Sequence, residues 1–566
     1  MTTMRLAATE VLVLGLGASG LAIAKWCARQ GAGVRVWDSR FATPQSPPQL
    51  DALRASVASA RIVEGALDAG ALDGVQRVFK SPGLAPNDER IAPLLAAAAA
   101  RGIAIEGELD LFAQALADLA AERGYAPKVL AVTGTNGKTT TTAMTALLVE
   151  RAGLRVAAAG NIGPTMLETL ALALDADAAA HAAQPAPQAS APDDRAPEGR
   201  PQAEEADGAV SDDASQKANS ALPEVWVLEL SSFQLHAARG FEPDAAALLN
   251  ISEDHLDWHG SMDAYVDAKA RVFGTRGVLV VNRDDAAVEA VAARVAALPA
   301  PGARKARSQR RVARRVVSFG VTAPRKPGDF GIVVEGGMAW LVRALEADPT
   351  LRRPKGASGD DDLELHIQRL MPADALRVRG RHNAANALAA LALASAIGCP
   401  LAPMLHALRE YRGEPHRLAF VASVNGVDAY DDSKGTNVGA TVAALEGMGA
   451  ERSPARLVVI LGGDGKGQDF APLREPLQRH ARAVALIGRD AERVDAQALA
   501  GGELPRRQFE TLEAATRWAF EQARSGDAVL LSPACASLDM FRNYGHRAEV
   551  FVAAVQELLH ESGAVA

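Results

Sequence analysis

Short, continuous apolar runs punctuate this chain, separated by longer stretches in which apolar residues recur at helical spacing. From Val11 to about Leu111 the runs VLVLG, VRVWD and RVFKSPG alternate with helix-like segments. Alternation of that kind predicts a parallel α/β unit. A second unit opens at Lys128–Val132 and continues to about Glu414, and a third carries strand-like runs at 457–463, 483–488 and 528–533. The expected fold class is α/β throughout.

Two uncharged stretches need separate readings. Val11–Ala24 resembles the core of an export signal, but Glu10 precedes it and Gly15, Gly17 and Gly20 interrupt it. A buried strand followed by a turn accounts for it better. Ala387–Leu405 is uncharged over 19 residues, close to membrane-spanning length. Gly398-Cys399-Pro400 carries a helix stop, which predicts two Ala-rich helices instead. Neither export nor a membrane span is expected.

Three stretches read as insertions. Between Asp175 and Ala221 the sole large aliphatic residue is Val210; such a segment buries too little apolar surface to order itself, and a disordered loop is expected. Arg304–Arg315 holds seven Lys/Arg and no acid, and Leu351–Asp362 mixes Pro, Gly and charge. Solvated loops are the expectation for both, although the basic run could also engage something acidic.

Composition refines this picture. At 566 residues the chain has room for three to four domains, and setting aside the 47 residues of the first insertion favours three. Hydrophobic residues make up 48% and charged ones 23%, a globular balance. The net charge of −8 provides no overall basic footprint for nucleic acid. That modest total conceals two opposed segments, since Asp175–Ala221 has ten acids against three bases, while Arg304–Arg315 is +7. Cys27, Cys399 and Cys535 are odd in number and far apart, which suits neither a disulfide framework nor a zinc cluster and fits a reducing cytoplasm.

Three motifs carry candidate chemistry. Gly15-Leu16-Gly17-Ala18-Ser19-Gly20 follows a strand, with Asp38 closing the next strand and Ser39-Arg40 after it. Taken alone this suggests a dinucleotide such as NAD, or a tight turn with no ligand. Lys80-Ser81-Pro82-Gly83 follows the third strand of the unit. The second motif, Thr133-Gly134-Thr135-Asn136-Gly137-Lys138-Thr139-Thr140, lies between the strand VLAV and an apolar helix. Its N–H groups suit phosphates, Lys138 suits developing negative charge, and Thr139 suits Mg²⁺. Its glycine spacing is shorter than that of the common P-loop.

The third candidate is a set of acids and imidazoles: Glu229 ending EVWVLEL, then Glu253, Asp254, His255 and Asp257 after another strand. Acids at the C-terminal ends of α/β strands suit Mg²⁺ held partly by ATP. Lys269 shares a helix face with Tyr265 and Phe273, a pattern that usually means a snorkelling lysine.

Together, TGTNGKTT, GNIG (160–163), ELSSFQL (229–235), NISEDHLD (250–257), HN..N (382–386), HR (416–417), DDSKGTN (431–437), GGDGKG (462–467) and LSPACASLDMF (531–541) resemble the Mur ligase family. The resemblance covers nearly the whole chain outside the insertions. It implies a Rossmann-like N-terminal domain for a UDP-linked substrate (1–112) and a central P-loop ATPase domain (113–415, with insertions 175–221 and 301–315). A Rossmann-like C-terminal domain for the amino acid (416–566) completes it. It further implies an ATP-dependent, ADP-forming ligase that adds D-glutamate to UDP-N-acetylmuramoyl-L-alanine through an acyl phosphate, in cytoplasmic peptidoglycan precursor synthesis.

Site roles follow from the same resemblance. Ala18, Ser19, Asp38, Ser39, Arg40, Ser81, Pro82 and Gly83 would hold the uridine nucleotide, with Asn161 touching the same substrate near the metals. Gly134, Thr135, Asn136, Gly137, Lys138, Thr139 and Thr140 would hold ATP phosphates, and Asn383, Asn386, Arg417, Asp432 and Lys434 the rest of the nucleotide. Thr139 and Glu229 would bind one Mg²⁺; His255 and a carbamylated Lys269 would bind or support a second. Thr436, Lys466, Ser537, Leu538 and Tyr544 would form the D-glutamate pocket. Tyr544 stands where the family has Phe, and Gly435 where it more often has Ala. A monomer acting on small molecules is expected. The alternatives are a sister ligase or folylpolyglutamate-type synthetase with another amino acid, an NAD-dependent oxidoreductase, and an ATP-binding scaffold.

Overall fold

The computed structural model describes residues 6–43, 47–182, 220–298, 314–347, 364–378, 380–452 and 454–563. The apolar runs become strands of three main sheets. In the first, β1 (Glu10–Leu14), β2 (Gly33–Trp37), β3 (Arg61–Val63), β4 (Arg77–Lys80) and β5 (Ala104–Glu106) pair in the order 3-2-1-4-5, all parallel. Val11 and Val13 pack on one face while Leu12 and Leu14 pack on the other. Burial on both faces is why these runs are continuously apolar rather than alternating.

The central sheet contains β6 (Lys128–Thr133), β7 (Val156–Gly160), β8 (Val225–Glu229), β9 (Ala245–Leu248), β10 (Val278–Asn282) and β11 (Val316–Phe319), in parallel order 11-10-9-6-8-7. The helices Lys138–Arg151, Arg381–Ala396 and Leu401–Glu410 cover one face. The last two are the pair expected from Ala387–Leu405, and Ala387 to Ala394 are buried. No helix among the described residues is long and apolar enough to cross a membrane. The opposite face merges with the core of the first sheet through the helices Ala18–Arg29, Glu108–Arg123 and Met166–Ala182. Phe112 meets Trp226 there, edge to face at 5.0 Å. The expected border at 112/113 thus falls inside one continuous helix.

The sequence pattern did not reveal the antiparallel sheet β12 (Phe330–Glu335), β13 (Met338–Glu346) and β14 (Leu365–Pro372) beside the central unit. The third main sheet comprises β15 (Ala419–Val424), β16 (Val427–Asp431), β17 (Leu457–Gly462), β18 (Ala481–Ile487), β19 (Arg506–Phe509) and β20 (Ala528–Leu531), in the order 15-16-20-17-18-19. It is parallel except for the β15–β16 hairpin.

Two insertion boundaries are corrected. The helix Met166–Ala182 runs through the first eight residues expected to be loop, and Asp177 accepts hydrogen bonds from Ser220 Oγ (2.9 Å) and the Ala221 N–H (2.8 Å). Leu167, Leu170 and Leu174 anchor this helix on the core, which extends it beyond the point where apolar residues cease. At the basic insertion, Arg314 is not a solvated residue: its guanidinium donates to the carbonyls of Phe273, Gly274 and Gly277. Arg315 beside it is exposed; residues 183–219 and 304–313, and Leu351–Asp362, lie outside the described residues.

Candidate active site

All three main sheets carry their candidate residues at C-terminal strand ends, where α/β folds bind ligands. The loop between β6 and the helix Lys138–Arg151 is the most constrained. Gly137 has φ +79°, and a Cβ there would lie 2.5 Å from Asn386 Oδ1, so both backbone and space demand glycine. Asn250 clamps the loop twice, accepting from the Asn136 N–H (2.8 Å) and donating to the Asn136 carbonyl (3.1 Å). Thr135 Oγ1 bonds Ser252 and the Tyr265 hydroxyl. These contacts explain Asn250 and Ser252 within NISEDHLD: they hold the glycine-rich loop after β6.

Two amines converge on this loop. Lys138 Nζ donates to the carbonyls of Gly134 (2.9 Å) and Thr135 (2.7 Å), and Lys269 Nζ donates to the same Gly134 carbonyl at 2.7 Å. Lys269 is 1% exposed, so the snorkelling reading fails; its nitrogen is inside, 4.6 Å from the Tyr265 ring centroid. Burial, followed by repulsion from Lys138, holds the Lys269 ammonium well below the usual lysine range. Burial also lowers Lys138, opposed by Glu229 and Asp254.

Glu229 ends β8 and is 2% exposed. Its Oε1 accepts from Asn161 Nδ2 at 2.8 Å, while Oε2 is buried without a hydrogen-bond partner. An orphaned carboxylate oxygen beside a phosphate loop fits a divalent cation. Among the described residues no three His, Cys, Asp or Glu side chains form a ready metal cage. After Glu229 the chain turns sharply because Ser231 and Gln234 form a capping box for the helix Ser232–Ala237. That turn presents Phe233 to His255 (4.6 Å between rings) and Trp258 (4.7 Å). Burial lowers the His255 imidazole to about 4 despite its neighbour Asp254, leaving it neutral at pH 7 and able to act as a ligand.

The third unit reaches into the same place. Arg417 donates to Thr139 Oγ1 at 2.9 Å, and Asn437 exchanges amide hydrogen bonds with Asn136 (3.0 and 3.2 Å). A cleft of about 430 Å³ opens beside the loop, lined by Asn136, Gly137, Thr140, Asn383, Asn386, Arg417 and Asp432. Among the wall residues that the sequence pattern did not reveal are Asn282 at the end of β10 and Phe319 at the end of β11. Burial raises the Asp432 carboxyl to about 7 against hydrogen bonding from Ser532 and the Arg417 charge.

Lys434 stands apart from that cleft, donating to the Tyr544 hydroxyl at 3.0 Å. The hydroxyl that distinguishes Tyr544 from Phe therefore has a partner. Leu538 is exposed, Ser537 buried, and Thr436 lies in the turn after Lys434. Lys466 Nζ pairs with Asp254 Oδ1 at 3.1 Å.

The glycine-rich turn after β1 is organised differently. Asp38 Oδ2 accepts the Leu16 N–H at 2.7 Å, and the Arg40 guanidinium grips both Asp38 oxygens at 2.8 Å. Burial alone would raise the Asp38 carboxyl, but those hydrogen bonds hold it below its ordinary value. Ser39 Oγ accepts from Arg90, and Lys80 Nζ braces the Ser81-Pro82-Gly83 turn through the Leu84 carbonyl at 2.5 Å. Ala18 and Ser19 open the helix that follows.

Residues 9–107 match the model of the Mur ligase MurD-like N-terminal domain, 210–310 the Mur ligase middle domain, and 416–535 the Mur ligase glutamate ligase domain. A UDP-N-acetylmuramoylalanine–D-glutamate ligase of Albidiferax ferrireducens is 55% identical over 557 residues, 98% of this chain and 97% of that one. The chain belongs to the Mur ligase family. The ligase of the same name from Burkholderia mallei is 53% identical and covers 98% of each chain. Solved Mur ligases share the fold at lower identity. The Thermotoga maritima MurF ligase, in complex with ADP, aligns with TM-score 0.52 and 15% identity over 99% of this chain and 97% of its own. MurC from the same organism aligns with TM-score 0.50 and 18% identity over 97% and 99%.

Proposed function

We propose that this Mur ligase is an ATP-dependent, ADP-forming enzyme that joins D-glutamate to UDP-N-acetylmuramoyl-L-alanine in peptidoglycan precursor synthesis, acting as a cytoplasmic monomer of three domains. The observation that carries the reading is the meeting of two units around one phosphate loop: Arg417 on Thr139 and Asn437 on Asn136. A ligase must bring nucleotide, acid and amine together, and that contact supports a reading in which the third unit offers the amino acid to a nucleotide on the second. Full-length likeness to enzymes named as D-glutamate ligases selects the amino acid.

ATP and a carboxylate substrate repel one another. Lys138 offsets charge on the γ-phosphoryl group as the substrate carboxylate oxygen bonds to phosphorus and ADP departs. Asn161 spans Glu229 and the substrate, so it positions the acid for that attack. The amine of D-glutamate then adds to the acyl phosphate, and phosphate leaves as the amide forms. Mg²⁺, held by Glu229 and Thr139 at one site and by His255 at a second, would neutralise phosphate oxygens. Burial and the neighbouring Lys138 charge shift the Lys269 amine towards its uncharged form. That form can add to CO₂ with loss of a proton, becoming an anionic carbamate that would suit the second Mg²⁺ and place a negative charge beside Lys138.

The uridine nucleotide is assigned to the first turn and the nucleotide of ATP to the 430 Å³ cleft. In that first turn an acid already occupies the Leu16 N–H. The NAD reading leaves TGTNGKTT and GGDGKG without a purpose. The test is phosphate release from ATP with an amino-acid panel. Release should require D-glutamate and UDP-N-acetylmuramoyl-L-alanine together; turnover with L-lysine or meso-diaminopimelate in place of D-glutamate would overturn the assignment.

A further inference from the structure

Lys466 is the residue expected to meet the D-glutamate carboxylate, yet its ammonium already holds one. Its Nζ lies 3.1 Å from Asp254 Oδ1, and the two side chains are 18% and 8% exposed. They come from different units: Lys466 sits in the loop after β17, and Asp254 in the loop after β9. The second Asp254 oxygen is shared, 3.4 Å from Asn437 Nδ2 and 3.5 Å from His255 Nε2. Asn437 in turn pairs with Asn136 of the phosphate loop.

With the third unit against the loop after β6, the Lys466 ammonium sits in a largely dry place. An ammonium buried without a counter-ion is strongly unfavourable. The nearer acid in sequence, Asp464, is committed elsewhere: it accepts from the Lys466 N–H through Oδ1 and pairs with Arg489 through Oδ2. Asp254 is the carboxylate that neutralises Lys466 among the described residues.

We infer that Asp254 is a displaceable stand-in for the D-glutamate carboxylate, a positioning residue that holds Lys466 in the closed state and sets the affinity for the incoming amino acid. The inference rests on the reading of Lys466 as the D-glutamate anchor. Exchange of one carboxylate for another conserves charge at the ammonium, so an acidic substrate can make it. A ligand lacking a carboxylate at that point cannot, because it would leave the ammonium buried and unpaired. Asp254 thereby competes with D-glutamate, and its removal should strengthen binding, opposite to the effect of removing a scaffold residue.

The experiment is equilibrium dialysis of radiolabelled D-glutamate against the full-length enzyme without nucleotide. Asp254→Asn is nearly isosteric and keeps an acceptor for Asn437, and Asp254→Ser serves as a second variant. Both should bind D-glutamate about tenfold or more tightly than the parent, a change of about 1.4 kcal/mol or more. Adding Lys466→Ala should abolish the gain. Unchanged or weaker binding in the Asp254 variants overturns the inference. If the gain survives Lys466→Ala, it is the Lys466 assignment that fails, and the displacement idea falls with it.

Discussion

Two glycine-rich turns, after β1 and after β6, look alike along the chain: apolar strand, glycines, helix. They differ in which charge fills them. Behind β1, Asp38 occupies the Leu16 N–H and is itself neutralised by Arg40, so the turn is closed by the protein's own acid. Behind β6, two lysine amines rest on one backbone carbonyl, and a buried glutamate oxygen nearby has no hydrogen-bond partner. On the proposed function, the first turn holds a substrate away from the reacting atoms, and the second is where phosphate, metal and charge transfer would be handled. Glycine spacing alone does not separate these cases, whereas local electrostatics does.

Substitutions should affect the two turns unequally. The largest effect is expected from Lys138→Ala, which should lower kcat for phosphate release about 10²- to 10³-fold by analogy with loss of one preorganised charge-stabilising donor. Lys269→Ala should cost about 10- to 100-fold, the scale for residues that orient or support a metal. A small carboxylate such as acetate, entering the space vacated, should restore part of that activity in the same steady-state assay.

Asp38→Asn should act only through the first turn, raising KM for the UDP substrate by about 3- to 10-fold. KM for ATP should not change; a shift in ATP instead would collapse the distinction between the turns. The smallest effect is on stability. Burial holds His255 and His382 near 4, whereas an unfolded imidazole takes a proton near 6.5. The unfolded chain therefore binds more protons between about pH 4 and 6.5, and these groups should make the melting temperature rise with pH across that window. His382→Gln should reduce the slope measured by calorimetry.

Much of this arrangement was readable from local pattern. Buried parallel strands, the glycine-rich turn after β6 and the Ala-rich helix pair each rest on neighbours in sequence. One local signal passed unused: Val424-Asn425-Gly426-Val427 is a two-residue hairpin turn, with φ of +53° and +78° at its centre. Long-range pairs were not readable. Nothing near Lys269 in sequence says that its nitrogen turns inward to Gly134, 135 residues away. Likewise, the motif at Lys466 signals a cation but not that Asp254, 212 residues earlier, already holds it. The helix Met166–Ala182 outlasted its apolar pattern because three leucines in its first half suffice to dock it.

The most direct test of the central claim, that chemistry belongs to the second turn, is to trap the acyl phosphate. Enzyme, ATP, Mg²⁺ and UDP-N-acetylmuramoyl-L-alanine are mixed without D-glutamate, then quenched with borohydride, which reduces an acyl phosphate to an alcohol. At one short quench time, the parent enzyme and Asp38→Asn, at saturating UDP substrate, should yield the reduced product in similar amount, and Lys138→Ala about 10²-fold less or below. Equal trapping in Lys138→Ala and the parent would contradict the account.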